Sequence, residues 1–225
     1  MVAVVGLVLI AVSGIAWTIV YLESIRVGFR QKTYAIPMAA LGLNIAWESI
    51  YAVHGLVTSV SPQVLINIVW AVADLAIVYT FVRFGRAEFP DFVTRSMFTA
   101  WAILVFGASF AVQGLFIAKF GVRDAEVYSA FLQNLFMSGL FIAMFAARRG
   151  IRGQTLTIAV AKWLGTLAPT ILFGAIGTST FVLGIGLMCC AFDLVYIGLV
   201  GWARTHPDAF VAPANTRPRN DQPLA

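Results

Sequence analysis

The chain has 225 residues, of which 60% are hydrophobic and 11% are charged. Soluble globular domains average about 25% charged residues, so this composition excludes a soluble domain and indicates an integral membrane protein. The net charge of +5 does not indicate a nucleic-acid partner, because the 15 Lys and Arg residues are spread over short loops. The two cysteines, Cys189 and Cys190, are adjacent in an apolar run and offer neither a disulfide framework nor metal-ligand spacing.

Seven apolar stretches are long enough to span a bilayer as helices. In chain order they cover residues 2–22, 34–57, 64–82, 96–118, 128–147, 156–176 and 180–203. The first lacks the basic start and cleavage site of a secretory signal, so we expect it to stay in the mature protein. The sequence therefore predicts an all-α, polytopic protein with one seven-helix transmembrane domain (residues 1–205) and a disordered cytoplasmic tail (residues 206–225).

The Lys and Arg residues alternate between the two sides of the predicted bundle. The connections after the first, third and fifth segments and the C-terminal tail hold twelve of them, and the opposite side holds two, Lys119 and Arg123. Because short cytoplasmic loops carry the excess of basic residues, the pattern predicts an N-terminus outside and a C-terminus in the cytoplasm. The remaining basic residue, Lys162, lies inside a helix.

The second segment carries an ionisable carboxyl, Glu48, in the middle of a long apolar helix. A carboxylate at the centre of a bilayer costs ~2.5–3.5 kcal/mol on insertion scales, so such a residue normally faces partners or a cavity. At ~100° per residue, Asn44, Trp47 and Tyr51 share an arc of about 100° with Glu48. An amide, an indole, a carboxyl and a phenol on one helix face predict a functional site.

Two more acids, Asp74 and Asp193, lie deep inside spanning segments. Asn67 and Trp70 share the helix face of Asp74, and Tyr196 shares that of Asp193. Counted from the outer segment ends at ~1.5 Å per residue, all three acids lie near the bilayer midplane, within about 6 Å of depth. We therefore expect one shared cavity. The alternative is that these polar groups only bond each other and hold the helices together.

The sequence holds no phosphate-binding glycine loop, His/Cys metal cluster, Ser-His pair or Asp-rich diphosphate motif. The available chemistry is proton donation by a buried carboxylic acid into an aromatic pocket, where ring faces stabilise a cation. His54, near a helix end, and Lys162, which is able to extend toward the cytoplasmic face, are left outside the site. Glu88 and Asp91 fall in a loop and are interpreted as solvated charges.

Three motifs together resemble the small membrane-integral terpene cyclases of fungal meroterpenoid pathways (pyripyropene and paspaline types) and of bacterial drimentine-type indole sesquiterpenoid pathways. They are Asn44-x-x-Trp47-Glu48-x-x-Tyr51, the basic loop 148–155 followed by Lys162, and Phe192-Asp193-x-x-Tyr196. The resemblance extends over nearly the whole chain. Short loops and an Ala-, Val-, Gly- and Arg-rich composition favour a bacterial member, in a bacterial cytoplasmic membrane.

The resemblance implies protonation of a terminal alkene or epoxide on a farnesyl-type chain of a prenylated indole or aromatic substrate, followed by a cationic cyclisation cascade. It implies no metal or cofactor, and as partners only this lipophilic substrate and membrane lipid. By motif position, Glu48 and Asp193 become the catalytic acids, and their carboxyls could share one proton. Substrate-binding or cation-stabilising roles fall to Asn44, Trp47, Tyr51, Asn67, Trp70, Asp74 and Tyr196, of which Asp74 matches the family least closely.

The main alternative is a proton-coupled small-molecule transporter of seven-helix type, whose midplane acids would bind and release protons. Such a transporter needs moving helices broken by Pro or Gly. Pro37 and Pro169 lie inside helices but away from the acids. A retinal protein is disfavoured because its Schiff base needs a lysine in the last helix, and residues 180–203 contain none.

Overall fold

The computed structural model describes residues 2–59 and 62–210, and every regular element in these ranges is helical. The long helices are α1 (Val2–Gln31), α2 (Met38–Thr58), α3 (Pro62–Phe84), α4 (Arg95–Ala147), α5 (Leu156–Pro169) and α6 (Thr180–Thr205). A π-helical stretch, Thr170–Ile176, continues α5, and short 3-10 turns occupy Gly85–Glu88 and Pro207–Phe210. The predicted all-α class is confirmed.

Helix α4 is a helical hairpin that turns at Gly121. Its 53 residues would extend ~80 Å as a straight helix, far beyond a hydrocarbon core ~30 Å thick. Gly121 has φ 75° and ψ 164°, a backbone region that essentially only glycine adopts. The Gln113 Nε2 atom donates to Gln133 Oε1 at 3.0 Å, although a straight helix would separate these residues by ~30 Å. The two segments of α4, residues 95–120 and 122–147, therefore lie side by side.

Five helices in the described residues are long and apolar enough to cross a membrane. They are Ala3–Gln31, Gln63–Glu88, Arg95–Ala147, Leu156–Ile176 and Thr180–Thr205. Helix α2 is not among them, since Asn44, Glu48 and His54 make it more polar. The structure thus supports a membrane protein with several long apolar helices, while the count of seven crossings and their orientation stay predictions.

Helix packing brings all seven predicted segments around a common core. Helix α1 contacts α3 and α5, α2 contacts α3 and α4, and α6 contacts α4 and α5. Close approach depends on small residues at the crossings: the Trp17 ring lies over Gly165, and the Thr170 side chain lies against Gly186. The outward surface carries exposed side chains such as Leu7, as expected of helices that face lipid.

A partly buried ionic cluster joins the loops at the end of the bundle opposite Gly121. The Glu88 carboxylate accepts hydrogen bonds from Thr33 Oγ1 at 2.7 Å and from Arg152 Nε at 2.8 Å, and it lies 3.6 Å from Arg148 Nε. The Arg148 guanidinium also donates to the Tyr34 carbonyl at 2.9 Å. With 8% of its side chain exposed, Glu88 is a structural anion, so its interpretation as a solvated loop charge is wrong.

The start of the predicted disordered tail is ordered. Within the turn Pro207–Phe210, the Phe210 ring packs edge-on against Phe145 and Trp202, with centroids 5.9 Å and 5.5 Å apart. The Phe210 side chain therefore packs in a hydrophobic environment at the end of the bundle. The rest of that predicted tail, residues 211–225, lies outside the described residues.

Candidate active site

A cavity of about 410 Å³ lies between α1, α2, α3, the second segment of α4 and the end of α5. This volume is within the range of small-molecule sites, ~300–1,000 Å³. Four of the predicted site residues line it: Asn44, Trp47, Glu48 and Trp70. Glu48 is therefore a carboxyl on the wall of a largely apolar and aromatic cavity.

Tyr21 of α1 holds the Glu48 carboxyl in place. Its hydroxyl donates to Glu48 Oε1 and accepts a hydrogen bond from Asn44 Nδ2 at 2.5 Å. The Tyr21 ring is stacked on Trp70, with centroids 5.8 Å apart and planes 30° apart, and it also contacts Trp17. Tyr21 was absent from the predicted site, yet it contacts more of the site's polar groups than any predicted aromatic residue.

Asn44 connects this tyrosine to a chain of buried amides. Its Oδ1 atom accepts from Gln133 Nε2 at 3.5 Å, and Gln133 in turn accepts from Gln113. Its Nδ2 atom is also 3.4 Å from Asp74 Oδ2. Since buried polar networks are stable when their members satisfy each other, the two glutamines fix the amide orientation of Asn44 and hence its donation to Tyr21.

Asp74 is fully buried, interacts with Glu48 and does not line the cavity. The two carboxyls interact, and each keeps one oxygen, Glu48 Oε2 and Asp74 Oδ1, without another hydrogen-bond partner in the described part of the chain. Two adjacent carboxyls in a dry environment are best accommodated with one proton between them, because two neighbouring negative charges repel. The pair that the structure brings together is thus Glu48 and Asp74.

Asp193 is separate from this pair. Both of its oxygens accept hydrogen bonds from Lys162 Nζ, at 2.8 Å and 3.0 Å, and the same ammonium donates to Ser138 Oγ at 2.7 Å. Lys162 is fully buried, so the expectation that it extends to the membrane surface is wrong. The expected proton sharing between Glu48 and Asp193 is also wrong, because Asp193 is neutralised by Lys162 and does not line the cavity.

The other predicted site residues do not line the cavity. The Tyr51 ring packs on Trp47 at 5.0 Å, and Asn67 Oδ1 accepts from Gln63 Nε2 at 2.8 Å. Tyr196 is buried against Phe141, with ring centroids 5.1 Å apart. The three predicted polar faces therefore do not form one shared cavity: the faces of α2 and α3 meet at Glu48, whereas the face of α6 meets Lys162.

Four residues outside the predicted site organise these contacts: Tyr21, Gln113 and Gln133, which sequence reasoning missed, and Lys162, which it excluded. Each is a polar side chain inside an apolar segment, which is the signal that singled out Glu48. The i, i+4 spacing of Trp17 and Tyr21 on an aliphatic helix was a further signal. Among the described residues, no group of three or more His, Cys, Asp or Glu could hold a metal ion. Metal independence stays a prediction.

Comparison with known proteins shows to which family the chain belongs. A family model described as Pyr4-like transmembrane terpene cyclases matches residues 1–176. The chain belongs to this family. The Pyr4-family terpene cyclase mfmH of Annulohypoxylon moriforme is 29% identical over 167 residues, which cover 73% of this chain and 68% of the relative. The terpene cyclase pyr4 of Aspergillus fumigatus is 28% identical over 197 residues, which cover 82% and 80%.

Family membership confirms the resemblance and supports a membrane terpene cyclase over the transporter alternative. The family model ends before α6, so Asp193 lies outside the residues it matches. Both relatives named here are fungal proteins, and this finding does not support the predicted bacterial origin. No solved structure matches the chain.

Proposed function

We propose that this membrane terpene cyclase acts on a farnesyl-type chain carried by an aromatic or indole group, and that Glu48 starts the reaction by protonating its terminal alkene or epoxide. The observation that carries the proposal is the Glu48 carboxyl on the cavity wall, held by Tyr21 among indole rings. A carboxylic acid that stays protonated at neutral pH is a suitable acid for this step, and burial favours the neutral form of carboxyls in general.

The residues around Glu48 have two roles: one carboxyl assists protonation, and the aromatic rings stabilise the cation. Asp74 shares the proton with Glu48 and supplies the negative neighbour that keeps it in place. Trp17, Trp47 and Trp70 line the cavity, and each ring face can stabilise a passing cation by ~0.5–2 kcal/mol. Because the cascade protonates a carbon or oxygen without removing diphosphate, it needs no metal or cofactor.

We assign Asp193 a positioning role in place of the predicted direct acid role. Its carboxylate is the counterion of Lys162, and Lys162 lies one helical turn from Thr166, which lines the cavity. Removing either partner would leave the other as an unpaired buried charge and shift this wall of the cavity. An essential aspartate at this position is thus compatible with Glu48 as the only proton donor.

The proposal is tested with membranes that contain the full chain. They are incubated with farnesylated indoles and farnesylated phenols, each with and without a terminal epoxide, and products are identified by mass spectrometry and NMR. We expect cyclised isomers from at least one substrate, at an unchanged rate in EDTA. Acyclic substrate recovered from every incubation would overturn the proposed substrate class. Loss of turnover in EDTA with recovery in Mg²⁺ would overturn the metal-free mechanism.

A further inference from the structure

The cavity wall holds a second carboxylate that the protonation step does not use. Of the described residues that line the cavity, the two with carboxyl groups are Glu48 and Glu126. The Glu126 main-chain carbonyl accepts a hydrogen bond from Trp47 Nε1 at 3.0 Å, so Glu126 is fixed next to the residue that precedes the proposed acid. Within the described residues its carboxylate makes no hydrogen bond or ion pair, and His54 lies near it.

The packing of α2 against the second segment of α4 separates the two carboxyls in depth. Asn44 contacts Gln133 and Trp47 contacts Glu126, so the two helices run antiparallel. The first contact places Glu126 level with a residue about three positions beyond Glu48, ~4.5 Å nearer the Gly121 end, and the second places it level with Trp47. Side chains tilt toward the N-terminus of their own helix, and in antiparallel helices these tilts point in opposite directions. The Glu48 side chain is therefore directed away from the Gly121 end of the bundle and the Glu126 side chain toward it.

Glu126 lies where the cavity reaches the protein surface. Arg123, one turn earlier on the same helix face, lines the cavity and is exposed, whereas Glu126 is half-buried. Partial burial favours the neutral form of this carboxyl, whereas the interaction with the nearby His54 favours the carboxylate. Access to solvent at the cavity mouth allows Glu126 to exchange protons. The remaining polar groups on this wall, such as the amides of Gln63 and Asn134, are neutral and far weaker bases.

We propose that Glu126 is the base that ends the cascade, an inference that rests on the proposed function. Glu48 gives a proton to the chain end, ring closure moves the positive charge along the chain, and the last cation forms nearer the cavity mouth. There, the electrons of a C–H bond next to the cationic carbon form a C=C bond, and the proton moves to a Glu126 carboxylate oxygen. Glu126 releases the proton to solvent and Glu48 regains one, so substrate and product are isomers.

Product analysis of Glu126→Gln tests this role. With no base at this point, water captures part of the cation, so the ratio of alkene to alcohol product should fall by on the order of 10-fold or more. Glu48→Gln should instead lose both products. The matched control is Asp124→Asn, which removes an exposed carboxylate from the same turn and should keep the wild-type product ratio. Deuterium at the carbon that loses the proton should slow proton transfer to Glu126. In the wild type, this substrate should therefore give a lower ratio of alkene to alcohol than the undeuterated substrate.

Each outcome decides the proposal. A wild-type alkene-to-alcohol ratio in Glu126→Gln would overturn the assignment while leaving the proposed function intact, and absence of any cyclised product from the wild type would overturn both. A further outcome is a Glu126→Gln protein that reaches the wild-type membrane level and melting temperature but consumes no substrate. That result would mean that Glu126 acts before the terminating step, and it would also overturn the assignment. If that variant does not accumulate, Glu126→Asp, which withdraws the carboxylate by one methylene, should still change the ratio, and an unchanged ratio would refute the role.

Discussion

At the residue scale, the Tyr21 hydroxyl determines which oxygen of Glu48 carries the acidic proton. A phenol has one proton, and here it goes to Glu48 Oε1, because the Asn44 amide already donates to the hydroxyl oxygen. A proton held by Glu48 therefore lies on Oε2, which has no hydrogen-bond donor or acceptor partner among the described residues other than the adjacent Asp74 carboxyl. The tyrosine thus leaves the buried Oε2 atom as the oxygen that carries the proton.

Tyr21→Phe tests this orientation, since it removes the hydroxyl and keeps the ring on Trp70. We expect kcat to fall by about 10- to 100-fold, equivalent to the ~1.5–3 kcal/mol of a hydrogen bond to a charged or acidic group. Tyr79→Phe is the control, because Tyr79 is 55% exposed on α3 and should tolerate loss of its hydroxyl. Full turnover by Tyr21→Phe, measured in membranes, would show that Glu48 needs no such partner.

Sequence alone was sufficient to find the acids whose burial in a membrane-spanning helix is energetically unfavourable. Glu48 and Asp74 are acids inside apolar helices, and the 3.6-residue period placed Asn44, Trp47 and Trp70 on their faces. It was not sufficient to pair them, because pairing depends on how helices dock. Thus Asp193, at a similar calculated depth to Glu48, bonds Lys162 instead. Tyr21 reaches Glu48 from α1, whose own acid, Glu23, pairs with Arg26.

At the scale of elements, the buried ion pair between Lys162 and Asp193 holds three helices together. Lys162 lies on α5, Asp193 on α6, and Ser138, which accepts a third hydrogen bond from the ammonium, on the second segment of α4. Breaking such a pair by removing one partner typically costs 3–5 kcal/mol, whereas replacing both by apolar groups is often neutral. The pair therefore allows the structural and chemical roles of Asp193 to be separated.

Double substitution makes that separation. Asp193→Leu and Lys162→Met should each lower the membrane level and melting temperature of the protein and reduce cyclisation strongly. The double variant should recover a large part of both, because no unpaired charge is left. Lys119→Met, at the exposed hairpin end of α4, is the control for loss of a lysine. A double variant that folds like the wild type and yet makes no product would mean that Asp193 takes part in the chemistry itself.

Composition located the helices better than it located their boundaries, at both ends of the bundle. The sequence predicted a connection between residues 118 and 128, but the chain stays helical there except at Gly121, whose positive φ alone makes the turn. Helix α1 was expected to end at residue 22 and continues to Gln31. Its extension is polar and is supported by the Glu23–Arg26 pair one turn apart, which hydropathy does not register.

At the scale of the whole molecule, the cavity and the basic loops lie at opposite ends of the bundle. Arg123 and the Gly121 turn mark the cavity mouth, whereas Glu88 binds Arg148 and Arg152 at the other end. If the basic end is cytoplasmic, as the distribution of Lys and Arg predicts, the cavity opens away from the cytoplasm. Protons exchanged by Glu126 would then pass to that side.

Reporter fusions test the orientation. Alkaline phosphatase, active only outside the cytoplasm, should be inactive when fused after Ala225 and active when fused before Val2. A fluorescent protein that folds only in the cytoplasm should give the reverse result, which controls for poor expression. An active phosphatase after Ala225 would reverse the orientation and place the cavity mouth on the cytoplasmic side, although the contacts within the site would be unaffected.

The central claim is that Glu48 is the proton donor, and the activity of Glu48→Gln tests it most directly. The amide keeps the shape of the side chain and its contact with Tyr21, and it removes the acid, so cyclisation should fall by ~10²–10⁴-fold or more. Removing a buried acid should also ease insertion, so the membrane level and melting temperature should match the wild type. Glu126→Gln, the second carboxyl of the same wall, should still consume substrate measurably. Robust cyclisation by a folded Glu48→Gln protein would contradict the mechanism.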